Sequence, residues 1–168
     1  MRALRGIEAH LRPFQATRWV PLAGGLVFLV VFGLAYSRIE PEYYALRDDG
    51  VITLSHARNL VDYGFIGVSP SGERLEGYSA PVQFCVYAAA YLVTGVGPAA
   101  YAQWQTLVCT FLLGCVFTLL FRQRPLWAVG AAALAAVGLT RLTSFIQWHG
   151  SGMENAVTHV LFVCMAYV

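Results

Sequence analysis

"PVQFCVYAAAYLVT", residues 81–94, decides the topology. A helix of that length reaches about 21 Å, short of the roughly 30 Å hydrocarbon core of a bilayer. If it crossed, "RQR" at 122–124 would face away from the cytoplasm, against the positive-inside tendency. If it does not cross, the run at 101–121 travels inward and Arg122 and Arg124 are cytoplasmic. The run at 126–140 then travels outward. That choice restores the charge rule. It also brings the polar stretch 141–155 to the side that holds the first loop. Residues 81–94 are therefore expected to form a re-entrant or interfacial helix.

The rest of the chain fits this setting. Of its 168 residues 58% are hydrophobic and only 12% charged, with a mean hydropathy of +0.59. Such long apolar runs separated by polar loops indicate an all-α integral membrane protein. All eleven basic residues are arginine, and the net charge of +2 gives no footprint for nucleic acid. Cys85, Cys109, Cys115 and Cys164 lie inside apolar runs, without metal or disulfide spacing.

Residues 1–18 form a basic leader with Arg2, Arg5, Arg12 and Arg18 against Glu8. The first apolar run, 19–36, follows without a small-residue cleavage site and is read as a retained span. Trp19 and Tyr36 stand where interfacial aromatics belong, and the leader holds the N-terminus in the cytoplasm. Residues 37–100 then lie outside. Within them, 37–79 carry seven of the nine acids and four arginines, a net charge of −3. Residues 49–63 have helical spacing, with Val51, Leu54, Ala57 and Val61 on one face and His56, Asn59 and Asp62 on the other. This predicts a second interfacial helix. At the far end, 141–155 form a second outer loop. Residues 156–168 begin a fourth span and stop inside it, as in the N-terminal part of a larger protein or one chain of a split one.

The candidate chemistry lies in the loops. Asp48 and Asp49 open the 49–63 helix. A carboxylate there can take a proton from a hydroxyl or hold a divalent cation. Glu154, from the second loop, offers another oxygen. Arg58 has the planar fork that clamps phosphate, and His56 can do acid–base work. Each also has a plainer reading. Asp caps helices and gains from the helix dipole, Glu154 does the same for the last helix, and Arg58 and His56 suit a wet helix face. His149 and Trp148 suit a membrane interface, and His159 suits packing.

The order of the motifs adds to this. "RDDGVITLSHARNLVDYGFIGVSPSGERLEGYSAP", 47–81, is followed by apolar helices and then "SGMEN", 151–155. The acidic pair, Ala57 to Leu60, Gly72 to Pro81 and Ser151 to Asn155 resemble, in sequence, motifs of the polytopic GT-C glycosyltransferases. The likeness is greatest to the bacterial arabinofuranosyltransferase-type group. Ala80, Val82, Gln83 and Asn155 depart from that pattern.

The resemblance implies GT-C-like N-terminal transmembrane helices with juxtamembrane helices in the first outer loop. It implies a sugar taken from a polyprenyl-phosphate donor and passed to a cell-envelope glycan or lipid acceptor. The location would be the outer face of the bacterial cytoplasmic membrane. Asp48 or Asp49 would be the catalytic base. Arg58, His56, Glu154, Tyr78 and His149 would bind substrate. A divalent metal (Mg, Mn or Ca), where used, would sit on Asp49 and Glu154. Other expected partners are membrane lipids and the rest of the same protein or a partner membrane chain. The rival is a non-catalytic membrane subunit, or a transporter fragment whose acidic loop binds a partner. A transport path should put ionisable residues at mid-membrane depth, and the runs 19–36, 101–121 and 126–140 hold none.

Overall fold

The computed structural model describes residues 19–38, 48–67, 80–121 and 124–167. The described residues form seven helices and no strand: α1 (Trp19–Tyr36), α2 (Asp48–Tyr63), α3 (Pro81–Thr94), α4 (Pro98–Leu119), α5 (Pro125–Thr140), α6 (Thr143–His149) and α7 (Asn155–Tyr167). Proline stands at the start of α3, α4 and α5. Its missing N–H is harmless in a first turn and its fixed φ suits one. Gly95 stops α3 in the left-handed region, φ 68°, and its N–H bonds the Tyr91 carbonyl.

Two helices, α1 and α4, are long and apolar enough to cross a membrane, and α5 with α6 makes a third candidate if that bent pair counts as one span. By length they measure about 27 and 33 Å. On α1 the side chains of Leu22, Leu26, Val30 and Leu34 recur every fourth residue and are exposed, while Val20, Gly24, Phe28 and Phe32 are buried. An apolar stripe open to the surroundings on one side, with a packed stripe on the other, is what a helix edged by lipid requires.

The packing direction fixes the topology. Gly24, near the start of α1, lies against Gly114 and Thr118, near the end of α4, so α1 and α4 are antiparallel. Gly24, Gly25 and Gly114 let the two backbones approach closely, which small residues alone permit. Val31, Leu34 and Ala35 share a cleft with Val137 and Thr140, so α1 and α5 run the same way. Phe28, Leu113, Ala132 and Ala136 form the core of this three-helix unit. The chain therefore leaves α1 and enters α4 at one end of the bundle, and α5 finishes there too.

At that end α2 and α3 pair with each other and with the start of α4. Leu54, Ala57, Phe84, Tyr87 and Ala102 are the shared core. The expected two-faced character of α2 needs correction. Val51 is exposed, whereas Gly50, Thr53, His56 and Asn59 are buried along with Leu54 and Ala57. The physical reason is that the chain after α2 folds back over it: the Asn59 amide donates to the Gly67 carbonyl at 2.6 Å. The helix keeps one exposed stripe, Val51, Arg58 and Asp62, turned away from the expected polar face.

The stretch 141–155 also differs from a plain polar loop. It contains α6, which meets α5 at 94° and turns back into the bundle. Ile146 and His149 are buried, and Phe32 of α1 packs edge-on against both Phe145 and His149. Seven residues are too few for a periodic signal, so α6 is defined by what it packs on.

Candidate functional site

The corner between α6 and α7, Gly150 to Glu154, is reached by four other helices, α1 to α4. Gly152 has a φ of 76°, which only glycine adopts without strain. A Cβ at Gly50 would come within 3.1 Å of the Ser151 carbonyl oxygen and 3.2 Å of Gly152, so the first turn of α2 sits directly on this corner. Tyr36 of α1 packs against Gly150. From α3, the Gln83 amide donates to the Gly152 carbonyl at 2.6 Å. From α4, the Gln105 amide donates to the Met153 carbonyl at 2.8 Å. Ser151 closes the turn: its hydroxyl donates to the Trp148 carbonyl at 2.8 Å and accepts from the Met153 N–H at 3.3 Å.

The structure thus brings the acidic start of α2 and the Gly-Met-Glu corner to one end of the bundle. Asp48 is the first residue of α2, and its side chain is outside the described residues. Asp49 is exposed and adjoins Gly50. Glu154 is half-buried just before α7, where its carbonyl accepts from the Thr158 N–H and hydroxyl. Tyr78 lies outside the described residues.

Arg58 is not part of this corner. It lies nine residues after Asp49 on the same helix, about 14 Å along the axis. Its guanidinium bonds Asp62 at 3.2 Å, Asp62 also accepts from the Tyr91 hydroxyl at 3.1 Å, and the Tyr91 ring lies 5.8 Å from the guanidinium. The hydrogen bonds to Asp62 and Tyr91 push the Arg58 pKa above its ordinary value. Those contacts tie α2 to α3 and leave little for a phosphate at the corner. His56 is fully buried, with Nδ1 2.7 Å from the Ile52 carbonyl one turn back, and is not on a wet face.

His149 is buried and belongs to a chain of hydrogen bonds whose direction is fixed by its far end. The Thr110 hydroxyl donates to the Thr106 carbonyl at 2.7 Å. It must therefore accept from His149 Nε2, which lies 2.9 Å away. That makes His149 Nδ1 an acceptor, so His159 Nδ1, 3.0 Å away, is the donor. The two ring planes lie within 11° of each other, as an edge-to-edge N–H···N bond requires. This pair orders α4, α6 and α7 around the corner. Nothing in the separate sequence positions of the two histidines announces it.

Among the described residues no three His, Cys, Asp or Glu side chains form a group suited to a metal ion. Asp49 and Glu154 are two carboxylates at this end of the bundle, and Mg²⁺ is commonly held by one or two carboxylates together with substrate phosphates and water.

Two clefts lie at this end of the bundle. One, of about 420 Å³, lies between the ends of α1 and α5, lined by Val31, Leu34, Ala35 and Val137 and by Arg38 and Arg141. Both arginines are exposed, and neither makes an ion pair among the described residues. The other, of about 310 Å³, lies between α3, α4 and α7 and includes Gln83, Gln105 and Glu154. The sequence offered a signal for the two glutamines: a strong polar group inside an otherwise apolar helix needs a reason.

No protein-family model, curated protein or solved structure matches this chain. The assignment of function rests on the residues and their arrangement.

Proposed function

We propose that this chain is a membrane glycosyltransferase of the GT-C kind, taking a sugar from a polyprenyl phosphate and passing it to a hydroxyl of an envelope glycan or lipid. The active end faces the outer side of the bacterial cytoplasmic membrane, with the basic leader inside. The observation that carries the reading is the seating of the Asp48–Asp49 turn of α2 on the Gly150–Glu154 corner.

One aspartate of the pair takes the proton of the acceptor hydroxyl as the new bond to the anomeric carbon forms. The bond from that carbon to the phosphate oxygen breaks, and polyprenyl phosphate leaves with the electron pair. The charge that develops on the departing phosphate needs a cation fixed in advance. Arg38 and Arg141 suit that role better than Arg58, because they line a cleft at the same end and, among the described residues, make no ion pair with a carboxylate. The cleft's valines and leucine would hold the first isoprene units while the guanidiniums meet the phosphate.

The test is donor turnover by membranes from cells expressing the protein, using a radiolabelled polyprenyl-phosphate sugar. Arg38→Gln with Arg141→Gln is expected to lower kcat/KM for the donor by about 100-fold, since each charge-assisted hydrogen bond contributes about 1.5–3 kcal/mol. Turnover unchanged in that variant would remove the arginine cleft from the mechanism. No donor consumption by the unaltered protein would end the transferase reading.

A further inference from the structure

The cleft between α3, α4 and α7 has the opposite chemistry to the arginine cleft. Its walls include Val82, Val86, Val157 and Leu161, and its polar residues include Gln83, Gln105 and Glu154. The two amides cannot be turned over. Gln83 Nε2 faces two acceptors, the Gly152 carbonyl at 2.6 Å and Gln105 Oε1 at 3.2 Å. Gln105 Nε2 is in turn held by the Met153 carbonyl. Reversing either amide would set oxygen against oxygen. Gln83 Oε1 is left as a buried acceptor with no partner, in a residue only 6% exposed. Among the described residues it is the one such side-chain atom.

We infer that this cleft binds the acceptor, and that the acceptor is a hydroxyl-bearing amphiphile: one hydroxyl donates to Gln83 Oε1 and its alkyl chain runs along the valines and Leu161. An unsatisfied buried carbonyl costs about 1–3 kcal/mol, which a donating hydroxyl recovers. A lipid phosphate is the wrong guest. It offers acceptors only, it would meet the Glu154 carboxylate, and no arginine or histidine is among the cleft's described lining residues. The two clefts thus sort the substrates by charge: the anionic donor between α1 and α5, the neutral hydroxylated acceptor between α3 and α7, with the acidic turn of α2 at the same end of the bundle. This inference rests on the transferase reading for the word acceptor, but the cleft's preference does not need transfer to be measured.

The experiment uses the full chain in nanodiscs and three photoreactive probes with the same diazirine-bearing dodecyl tail: a glucoside, a phosphate monoester, and the bare alkane. The glucoside is expected to label peptides carrying Val86, Val157 or Leu161 about 5- to 150-fold more than either other probe, as a single recovered hydrogen bond of about 1–3 kcal/mol implies. Excess unlabelled dodecyl glucoside should suppress it. Val86→Trp fills the cleft from an exposed position, away from the glutamine contacts, and should abolish the labelling. Gln83→Leu should reduce it about tenfold. Equal labelling by the phosphate or the alkane, or undiminished labelling of Val86→Trp, overturns the inference. Selective labelling in a protein that consumes no donor leaves the cleft standing and removes the transferase reading. Donor turnover with no selective labelling does the reverse.

Discussion

Asp48→Asn together with Asp49→Asn is expected to reduce sugar transfer by 10²- to 10⁴-fold while leaving the helices in place. Positioned general-base catalysis accounts for a factor of roughly that size. Asn keeps the shape of Asp and its helix-starting ability. What it forfeits structurally is the favourable placement of a carboxylate in the first turn of α2, worth about 0.3–1 kcal/mol per charge. A capping role and a catalytic role therefore give very different results from the same double variant. Circular dichroism and the membrane-fraction level should match the unaltered protein. Turnover of the labelled donor should not. The two single variants separate the partners: the base should account for most of the loss, and its neighbour for a smaller one. A double variant that still transfers sugar at half the original rate would reduce the pair to helix-start residues.

The largest effect on stability is expected at Gly114. A Cβ there would come 2.5 Å from the Gly24 carbonyl oxygen and 2.9 Å from the Gly25 Cα, both backbone atoms with no rotamer to change. Gly114→Leu must push α1 away from α4. Overpacking a core usually costs about 1–3 kcal/mol, and this case belongs at the top of that range or beyond because the obstacle is main chain. The small-residue contact is also what holds two helices together where lipid removes the hydrophobic drive. Gly33→Leu is the control: a Cβ at Gly33 meets nothing within 4 Å, so the same change on α1 should be nearly neutral. Thermal unfolding in detergent reads both. A Gly114→Leu protein that melts with the unaltered one would refute the close antiparallel contact of α1 and α4.

Helix identity was easy to read in the sequence because long apolar runs need only length to be recognised, and Pro81, Pro98 and Pro125 mark where three of them start. The candidate corner was half legible. The acidic pair and "SGMEN" stand out as polar islands, and the charge of 122–124 argues for bringing them to one side. The rest depends on contacts between distant positions. Gln83 and Gly152 are 69 residues apart, and Gln105 and Met153 are 48 apart. His149 and His159 meet only because α6 turns back at 94° from α5. The faces of α2 misled for a related reason. Periodicity sees one helix and its solvent, whereas Gly67 returns over Asn59 and covers part of the side that looked wet, leaving Asp62 exposed. Arg58 was drawn toward the acidic pair by sequence proximity, yet nine helical residues carry it away, to Asp62 and Tyr91.

The most direct test of the whole arrangement is the sidedness of three positions. Asp49→Cys, Glu154→Cys and Arg124→Cys are introduced singly into a chain whose Cys85, Cys109, Cys115 and Cys164 have been replaced by alanine. Each is treated with a membrane-impermeant maleimide in right-side-out and inverted vesicles. Residues 49 and 154 should react from the outer side alone and residue 124 from the cytoplasmic side alone. Labelling of 49 and 154 from opposite sides would separate the acidic turn from the glycine corner and contradict the site.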